Sequence, residues 1–283
     1  MSEAGTGTLA AALGPAIDRL AAAGVPEPAR DARRLLAHAA GIAPDRLSIH
    51  MADPLGTEAA DRFAAALAAR ARRQPVAQIT GGRAFWGRDF RVTADVLDPR
   101  PETETLVAAA LEAPFARLLD LGTGSGCLAV TLLAERPAAQ GVATDISEAA
   151  LAVARENAER HRVADRLQLL RADWWSGVAG AFDLIVANPP YIPVADLDAL
   201  APELRLHEPR AALTDGSDGL SAYRALAAGA VRHLAPGGRL AVEVGAGQAA
   251  SVARLFAQAG LDPAGIRADM DGRQRVVIAQ AAS

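Results

Sequence analysis

The chain predicts a doubly wound α/β fold preceded by a small helical domain, on three observations. From about Glu102 onward, short apolar runs alternate with segments of helical spacing, the order that builds a mostly parallel sheet covered by helices. One of those runs opens into a glycine-rich loop, and another stops abruptly at Asn188-Pro189-Pro190-Tyr191. Before residue 76 the apolar spacing is helical throughout.

Taken in order, Leu9 to Ala23 repeats apolar residues at helical spacing and Gly24-Val25-Pro26 ends it. Pro28 to Ala40 is the next helix, closed by Gly41, followed by a short helix over Pro44 to His50 and a longer one over Thr57 to Arg73. The last ends in Arg70-Ala71-Arg72-Arg73-Gln74-Pro75, which is either a patch for a partner or a solvated helix end whose charge suits the dipole. Arg83 to Leu97 alternates around Gly87-Arg88-Asp89 and predicts a β-hairpin. The expected organisation is a helical domain over 1–75, a hairpin linker over 76–101 and an α/β domain over 102–283. Late strands are expected at Arg239 to Val244 and Arg275 to Ala279.

Four strand ends carry polar residues. Leu118 to Leu121 runs into Gly122-Thr123-Gly124-Ser125-Gly126, and Cys127 to Leu133 follows as a helix. Glycines permit a tight turn and close approach of a ligand, and a free helix start offers N–H donors. Cys127 stands where a dinucleotide fingerprint needs its third glycine, which argues against a nicotinamide enzyme. About 20 residues on, Gly141 to Asp145 ends in a carboxylate suited to the two hydroxyls of a ribose, or to capping the helix that starts near Ser147. Leu167 to Arg171 ends at Asp173-Trp174-Trp175, an acid and aromatics able to hold an adenine, with core packing expected of one tryptophan. Phe182 to Ala187 stops at Asn188-Pro189-Pro190-Tyr191, where two prolines fix φ and remove two donors. What remains is a rim of acceptors, the Asn188 side-chain oxygen and the carbonyls around Pro189, suited to a planar –NH2. In open α/β sheets ligands bind at that edge. The order of the four fits a nucleoside-bearing cofactor with its reactive end toward Asn188.

These motifs resemble those of S-adenosylmethionine-dependent methyltransferases, and more narrowly those of the protein-(glutamine-N5) methyltransferases that act on peptide chain release factors, the HemK/PrmC type. The resemblance extends over Phe85 to Val92, Val96 to Glu104 with its Pro-Arg-Pro-Glu-Thr-Glu segment, Glu208 to Leu213, Asp218-Gly219-Leu220 and Glu243-Val244-Gly245. Trp174-Trp175 stands where the family often has Trp-Phe, and the stretch from Trp175 to Asn188 is about one residue short. The resemblance implies a Rossmann-like methyltransferase sheet with an antiparallel late strand. S-adenosyl-L-methionine would be held by Gly122, Thr123, Gly124, Ser125, Gly126, Asp145, Asp173, Trp174 and Asn188. The substrate would be held by Asn188, Pro189, Pro190 and Tyr191, with Asn188, Pro189 and Tyr191 at the chemistry. The implied substrate is the glutamine of the Gly-Gly-Gln motif of a class 1 peptide chain release factor.

Composition fits this implication. The chain has 283 residues, 51% of them hydrophobic, and a net charge of −4. A duplex-DNA enzyme more often carries a strongly basic face. There is no lysine, and the single Cys127 excludes an intramolecular disulfide and a multi-cysteine zinc site. The five histidines lack metal-ligand spacing, and Ser125 lacks the motif partners of a hydrolase triad. The absence of a signal segment or long apolar run leads us to expect a cytoplasmic protein with no membrane or stable nucleic-acid partner. Two alternatives share the amide-gripping motif: a ribosomal-protein glutamine methyltransferase, and a DNA or RNA amino-methyltransferase. A third, a non-enzymatic nucleoside-binding module, leaves Asn188 to Tyr191 without a task.

Overall fold

The computed structural model describes residues 7–281; residues 1–6 and 282–283, the outermost positions of the expected first and last domains, lie outside the described residues. In chain order the elements are α1 (Leu9–Ala22), α2 (Pro28–Ala40), α3 (Thr57–Ala71), α4 (Val76–Thr80), β1 (Gly82–Phe85), β2 (Arg88–Arg91), α5 (Glu104–Leu111), β3 (Arg117–Leu121), α6 (Cys127–Glu135), β4 (Gln140–Asp145), α7 (Glu148–Arg160), β5 (Leu167–Arg171), β6 (Phe182–Ala187), α8 (Pro202–His207), α9 (Arg210–Leu213), α10 (Ser221–His233), β7 (Leu234–Glu243), α11 (Ala249–Gln258), β8 (Leu261–Ala268) and β9 (Gln274–Ala281).

The chain divides into two compact units. The first runs through Gly81 and also takes residues 201–207, which sequence order alone would assign to the second. Its core is the apolar stripes of α1 to α3, with Leu20, Leu35, Leu36 and Leu47 sealed from solvent. Thr8 caps α1 by accepting from the Ala11 N–H, and Gly41, in the left-handed region, ends α2. Two of the three arginines that end α3, Arg70 and Arg73, are neither a free patch nor a solvated helix end, whereas Arg72 is exposed. Arg70 is buried and donates to Asp31 Oδ2 at 2.7 Å, and it also pairs with Glu203 of α8 at 2.9 Å. Arg73 grips the same Glu203 through two nitrogens, at 2.8 and 2.7 Å. Residues over Pro44 to His50 form only a single 3-10 turn, Leu47–His50.

The second unit holds a seven-stranded sheet in the order β5-β4-β3-β6-β7-β9-β8. β3 to β7 are mutually parallel, and β9 runs antiparallel to both its neighbours. The doubly wound order and the antiparallel late strand agree with the sequence expectation. Both faces are buried. Leu118, Leu184, Val186 and Ala241 pack into one cluster with α5 and α6, while Leu119, Ile185, Leu240 and Val242 pack with α10 and α11 on the other. This two-sided burial is why the strands are continuous apolar runs rather than alternating ones.

Strand β8 was not foreseen. It is an edge strand, mostly exposed, carrying Pro263 and a bulge at Gly265, so it lacks the apolar run that marks the central strands. The hairpin is shorter than the expected Arg83 to Leu97. Trp86 and Gly87 both have positive φ, 49° and 67°, the backbone of a two-residue hairpin turn, and pairing stops at Arg91.

The sequence leads us to expect core packing of one tryptophan, but Trp174 and Trp175 both pack against the apolar cluster under α10 and α11, and Trp175 is the more firmly held. Its ring stacks on His233 at 5.0 Å and its Nε1 donates to the Ala225 carbonyl at 2.7 Å. Gly229 of α10 lies under that ring, and a Cβ there would overlap the indole. In an exposed helix Gly→Ala gains about 1 kcal/mol of propensity, but overpacking costs about 1–3 kcal/mol, so the clash decides the sign. Gly229→Ala is expected to lower the melting temperature in calorimetry of the full chain; a raised one would contradict this packing.

Candidate active site

The carboxyl ends of β3 and β6 lie side by side, because Leu118 pairs with Leu184 and Asp120 with Val186. On one side of that pair the chain continues to β4 and β5, on the other to β7. This is a topological switch point, the crevice where open α/β sheets bind ligands. The glycine loop leaves β3 there and the Asn188 motif leaves β6.

The glycine loop is fixed from below. Gly122 and Thr123 both donate to the Thr144 carbonyl, at 2.9 and 2.8 Å. Thr123 Oγ1 donates to Asp120 Oδ2 at 2.6 Å, and Ala129 N of α6 reaches the same oxygen at 3.2 Å. Asn157 of α7, fully buried, donates to the Ser125 carbonyl at 2.8 Å and exchanges hydrogen bonds with both backbone groups of Arg91, so one side chain ties the loop to the hairpin. Gly122, Gly124 and Gly126 all have positive φ. A Cβ at Gly122 or Gly124 would meet nothing, leaving room above the loop, whereas one at Gly126 would press on Ala154 of α7 at 3.1 Å.

Asp145 ends β4 with both carboxylate oxygens engaged once. Oδ2 accepts from Gly124 N and Oδ1 from Ser147 N, each at 2.9 Å. Ser147, not Asp145, caps α7, its Oγ accepting from Ala150 N. Each Asp145 oxygen retains a second lone pair. Ile146 beside it is 58% exposed. After β5, Asp173 is exposed and Trp174 half-buried with φ 49°, and Ala172 N bonds the Asp145 carbonyl to hold this turn against β4. Open space over the glycines, a carboxylate with lone pairs to spare and the exposed Ile146 next to it fit a nucleoside, while half-buried Trp174 follows the adjoining strand and packs in part on the apolar cluster under α10.

After β6, Pro189 is buried and Asn188, Pro190 and Tyr191 are half-buried. Asn188 Nδ2 donates to Thr103 Oγ1 at 3.2 Å. Gln248 clamps the loop, donating to the Tyr191 carbonyl at 2.9 Å while its oxygen accepts from Gly245 N at 3.0 Å. Burial pushes the Tyr191 phenol up to about 12, so it stays neutral. Behind it Glu243, 1% exposed, ends β7; its Oε2 has no hydrogen-bond partner, while the hydroxyls of Thr103 and Tyr191 face the carboxylate. Sequence reasoning quoted the segments holding Thr103 and Glu243 without giving either a task, and it passed over Asn157, Ile146 and Gln248. Only the partly apolar strand end Glu243-Val244-Gly245 carried a signal, a lone carboxylate closing a buried run.

An apolar groove of about 480 Å³ lies at the β8 edge of the sheet, lined by Phe256, Pro263, Ile266 and Val277 and by no ionisable side chain. It is separate from this chemistry. Among the described residues no group of His, Cys, Asp and Glu is arranged to hold a metal ion, and no helix is long and apolar enough to cross a membrane.

Three buried carboxyls surround the crevice. Burial pushes Asp120, Glu208 and Glu243 each up to about 7. A carboxyl raised in the folded state stabilises fully below its unfolded value, and that stability is lost as pH rises through the folded value. Glu112, held low by its hydrogen bond to Arg267, acts in the opposite sense at more acidic pH, and His161, held low by burial, opposes the trend below its ordinary value of 6.5, a single group against three. The melting temperature should therefore rise as pH falls from about 8 to about 5, and Glu243→Gln should flatten that slope. Melts in which stability instead grows from about pH 6 to about pH 8 would contradict these burials.

Two family models match the chain: the PrmC N-terminal domain over residues 11–81 and the methyltransferase small domain over residues 97–217. A release factor glutamine methyltransferase of Cereibacter sphaeroides is 62% identical over 95% of this chain and 97% of its own length. One from Rhodospirillum rubrum is 47% identical over 93% of this chain and 82% of its own. Among solved structures, a methyltransferase from Pyrococcus furiosus shares the fold with a TM-score of 0.55, at 20% identity over 71% of this chain and 92% of that one. With such identity sustained from end to end, the chain belongs to the release factor glutamine methyltransferase family.

Proposed function

We propose that the protein transfers a methyl group from S-adenosylmethionine to the side-chain amide nitrogen of a glutamine, the one in the Gly-Gly-Gln motif of a class 1 peptide chain release factor, in the cytoplasm. The observation that carries this reading is the acceptor rim after β6, with the Asn188 amide nitrogen turned inward to Thr103. Its oxygen is then left for a donor on the substrate. The family assignment supports the same chemistry, and the near-full-length relatives support the protein substrate.

The cofactor, when bound, supplies an electrophilic methyl on a sulfonium. Gly122 to Gly126 would give it open space, with the Ser125 N–H as the loop donor since the other four are held within the protein; Asp145 would accept from the ribose hydroxyls, and Ile146, Asp173 and Trp174 would border the adenine. Asn188 Oδ1 and the Pro189 carbonyl accept the two N–H groups of the substrate amide. An amide nitrogen is a poor nucleophile because its lone pair is delocalised into the carbonyl. Holding both hydrogens fixes the direction of the lone pair and favours pyramidal nitrogen as the new bond forms. Positioning of this kind removes up to about 7–11 kcal/mol of barrier. No base has to act first, since the proton becomes acidic once nitrogen carries the methyl. Tyr191, neutral at working pH, walls the amide and offers its ring to the developing positive charge. The helical unit, which contributes none of these groups, supplies surface for a protein partner; specific interfaces bury about 1,200–2,000 Å², more than one glutamine side chain offers.

Tritiated methyl transfer, assayed separately on purified release factor, ribosomes and DNA, tests the reading: label should enter release factor, and label entering only ribosomal protein or nucleic acid would replace it with one of the alternatives. Asp145→Ala should weaken S-adenosylmethionine binding by about 1–3 kcal/mol through lost charge-assisted bonds, and unchanged affinity in calorimetry would remove Asp145 from the site. Asn188→Ala should lower the single-turnover rate about 100-fold or more with little change in cofactor affinity; a rate near wild type would rule out the amide clamp.

A further inference from the structure

Asn188 can show either of two chemistries to an incoming side chain. With its carbonyl oxygen outward it accepts from an –NH2. Turned over, it offers its own –NH2 and suits a carboxylate. The two orientations have the same shape, so the backbone after β6 does not choose between them. The choice falls to whatever lies behind the amide. That group is Thr103, 2% exposed, whose Oγ1 accepts from Asn188 Nδ2 at 3.2 Å across a sequence separation of 85 residues.

A hydroxyl both donates and accepts, so Thr103 selects an orientation only when its own hydrogen is committed elsewhere. Glu243 provides the commitment. It closes β7, is 1% exposed, and faces the hydroxyls of Thr103 and Tyr191, with Arg275 of β9 favouring its charge and Glu102 opposing it. An ionised carboxylate only accepts. Above about pH 7, where Glu243 is ionised, the Thr103 hydrogen is therefore directed to Glu243 and its lone pair to Asn188, and only the nitrogen end of the Asn188 amide can meet that lone pair.

We propose that Thr103, backed by Glu243, is a positioning residue that locks Asn188 with its oxygen toward the substrate and so sets the preference of the site for a carboxamide over a carboxylate. The inference rests on the reading that Asn188 receives the substrate amide. It adds a determinant of specificity, since a glutamate side chain differs from glutamine only in the atom that this lock addresses.

The test is steady-state kinetics of the full chain on release factor at mildly alkaline pH, where Glu243 is ionised. Thr103→Val keeps the shape and removes the lone pair. It should lower kcat roughly tenfold or more while KM and the dissociation constant of S-adenosylmethionine move less than about threefold. Thr103→Ser should restore kcat to within about threefold. A substrate peptide with glutamate in place of glutamine should inhibit wild type poorly and Thr103→Val measurably better. In the wild-type protein, one hydrogen of the Asn188 side-chain amide should exchange slowly by NMR, a readout that needs no variant to fold. Wild-type kcat and unchanged discrimination in Thr103→Val would overturn the proposal, as would equal losses in Thr103→Val and Thr103→Ser, or a freely exchanging Asn188 amide. Asn188→Ala in the same assay separates the two claims. Loss there without loss in Thr103→Val overturns only the lock, whereas no loss in Asn188→Ala overturns the clamp itself.

Discussion

The parallel pairing of β3 with β6 is the constraint on which the site depends. It brings the glycine loop and the Asn188 motif, more than sixty positions apart in the chain, to one edge of the sheet with their strands pointing the same way. Asp183 of β6 secures the other end of the pair, its Oδ2 accepting from both Ala116 N and Arg117 N at 2.8 Å. Apolar clusters on both faces then leave each central strand a single register, since a slip by one residue would exchange the two faces. Specificity of register in the core thus becomes position of polar atoms at the rim.

Polar groups are buried at that rim in a pattern the rest of the core avoids. Asp120 lies under the glycine loop and holds Thr123 and Ala129. Glu208 accepts from Asp98 N and from Arg100, securing the segment that leads to Thr103. Glu243 sits behind Thr103 and Tyr191. Each carboxyl is raised by burial, so each is destabilising when ionised, and each ties down a different loop bordering the crevice. Buried polar networks rigidify at an energetic cost, and here the cost is concentrated where loops must hold still for ligand geometry. The same logic operates in the helical unit, where Arg70 joins Asp31 to Glu203 and fixes α8.

What the sequence revealed was what is local in it. The glycine loop, Asp145 after its strand, and Asn188 to Tyr191 are contiguous strings whose residue types carry their chemistry, and the central strands are apolar runs because both faces are covered. What it hid was long-range. Thr103 meets Asn188, Asn157 meets Arg91 and Ser125, and Glu203 meets Arg70 and Arg73 across 32 to 133 positions. None of these partners has a spacing to recognise, and arginines at a helix end look alike whether solvated or buried. β8 escaped because an edge strand with a proline and a bulge lacks the apolar signature of the strands it follows.

The central claim is that this rim grips a side-chain amide and delivers the methyl to its nitrogen. The most direct measurement is fragmentation mass spectrometry of release factor after incubation with the protein and S-adenosylmethionine, combined with acid hydrolysis of the modified peptide. The account predicts one added methyl on the glutamine of the Gly-Gly-Gln segment, and methylamine released on hydrolysis because the methyl sits on the amide nitrogen. A methyl on a carboxylate, a hydroxyl or any other residue, or an unmodified glutamine in release factor alongside a modified nucleic-acid base, would contradict it.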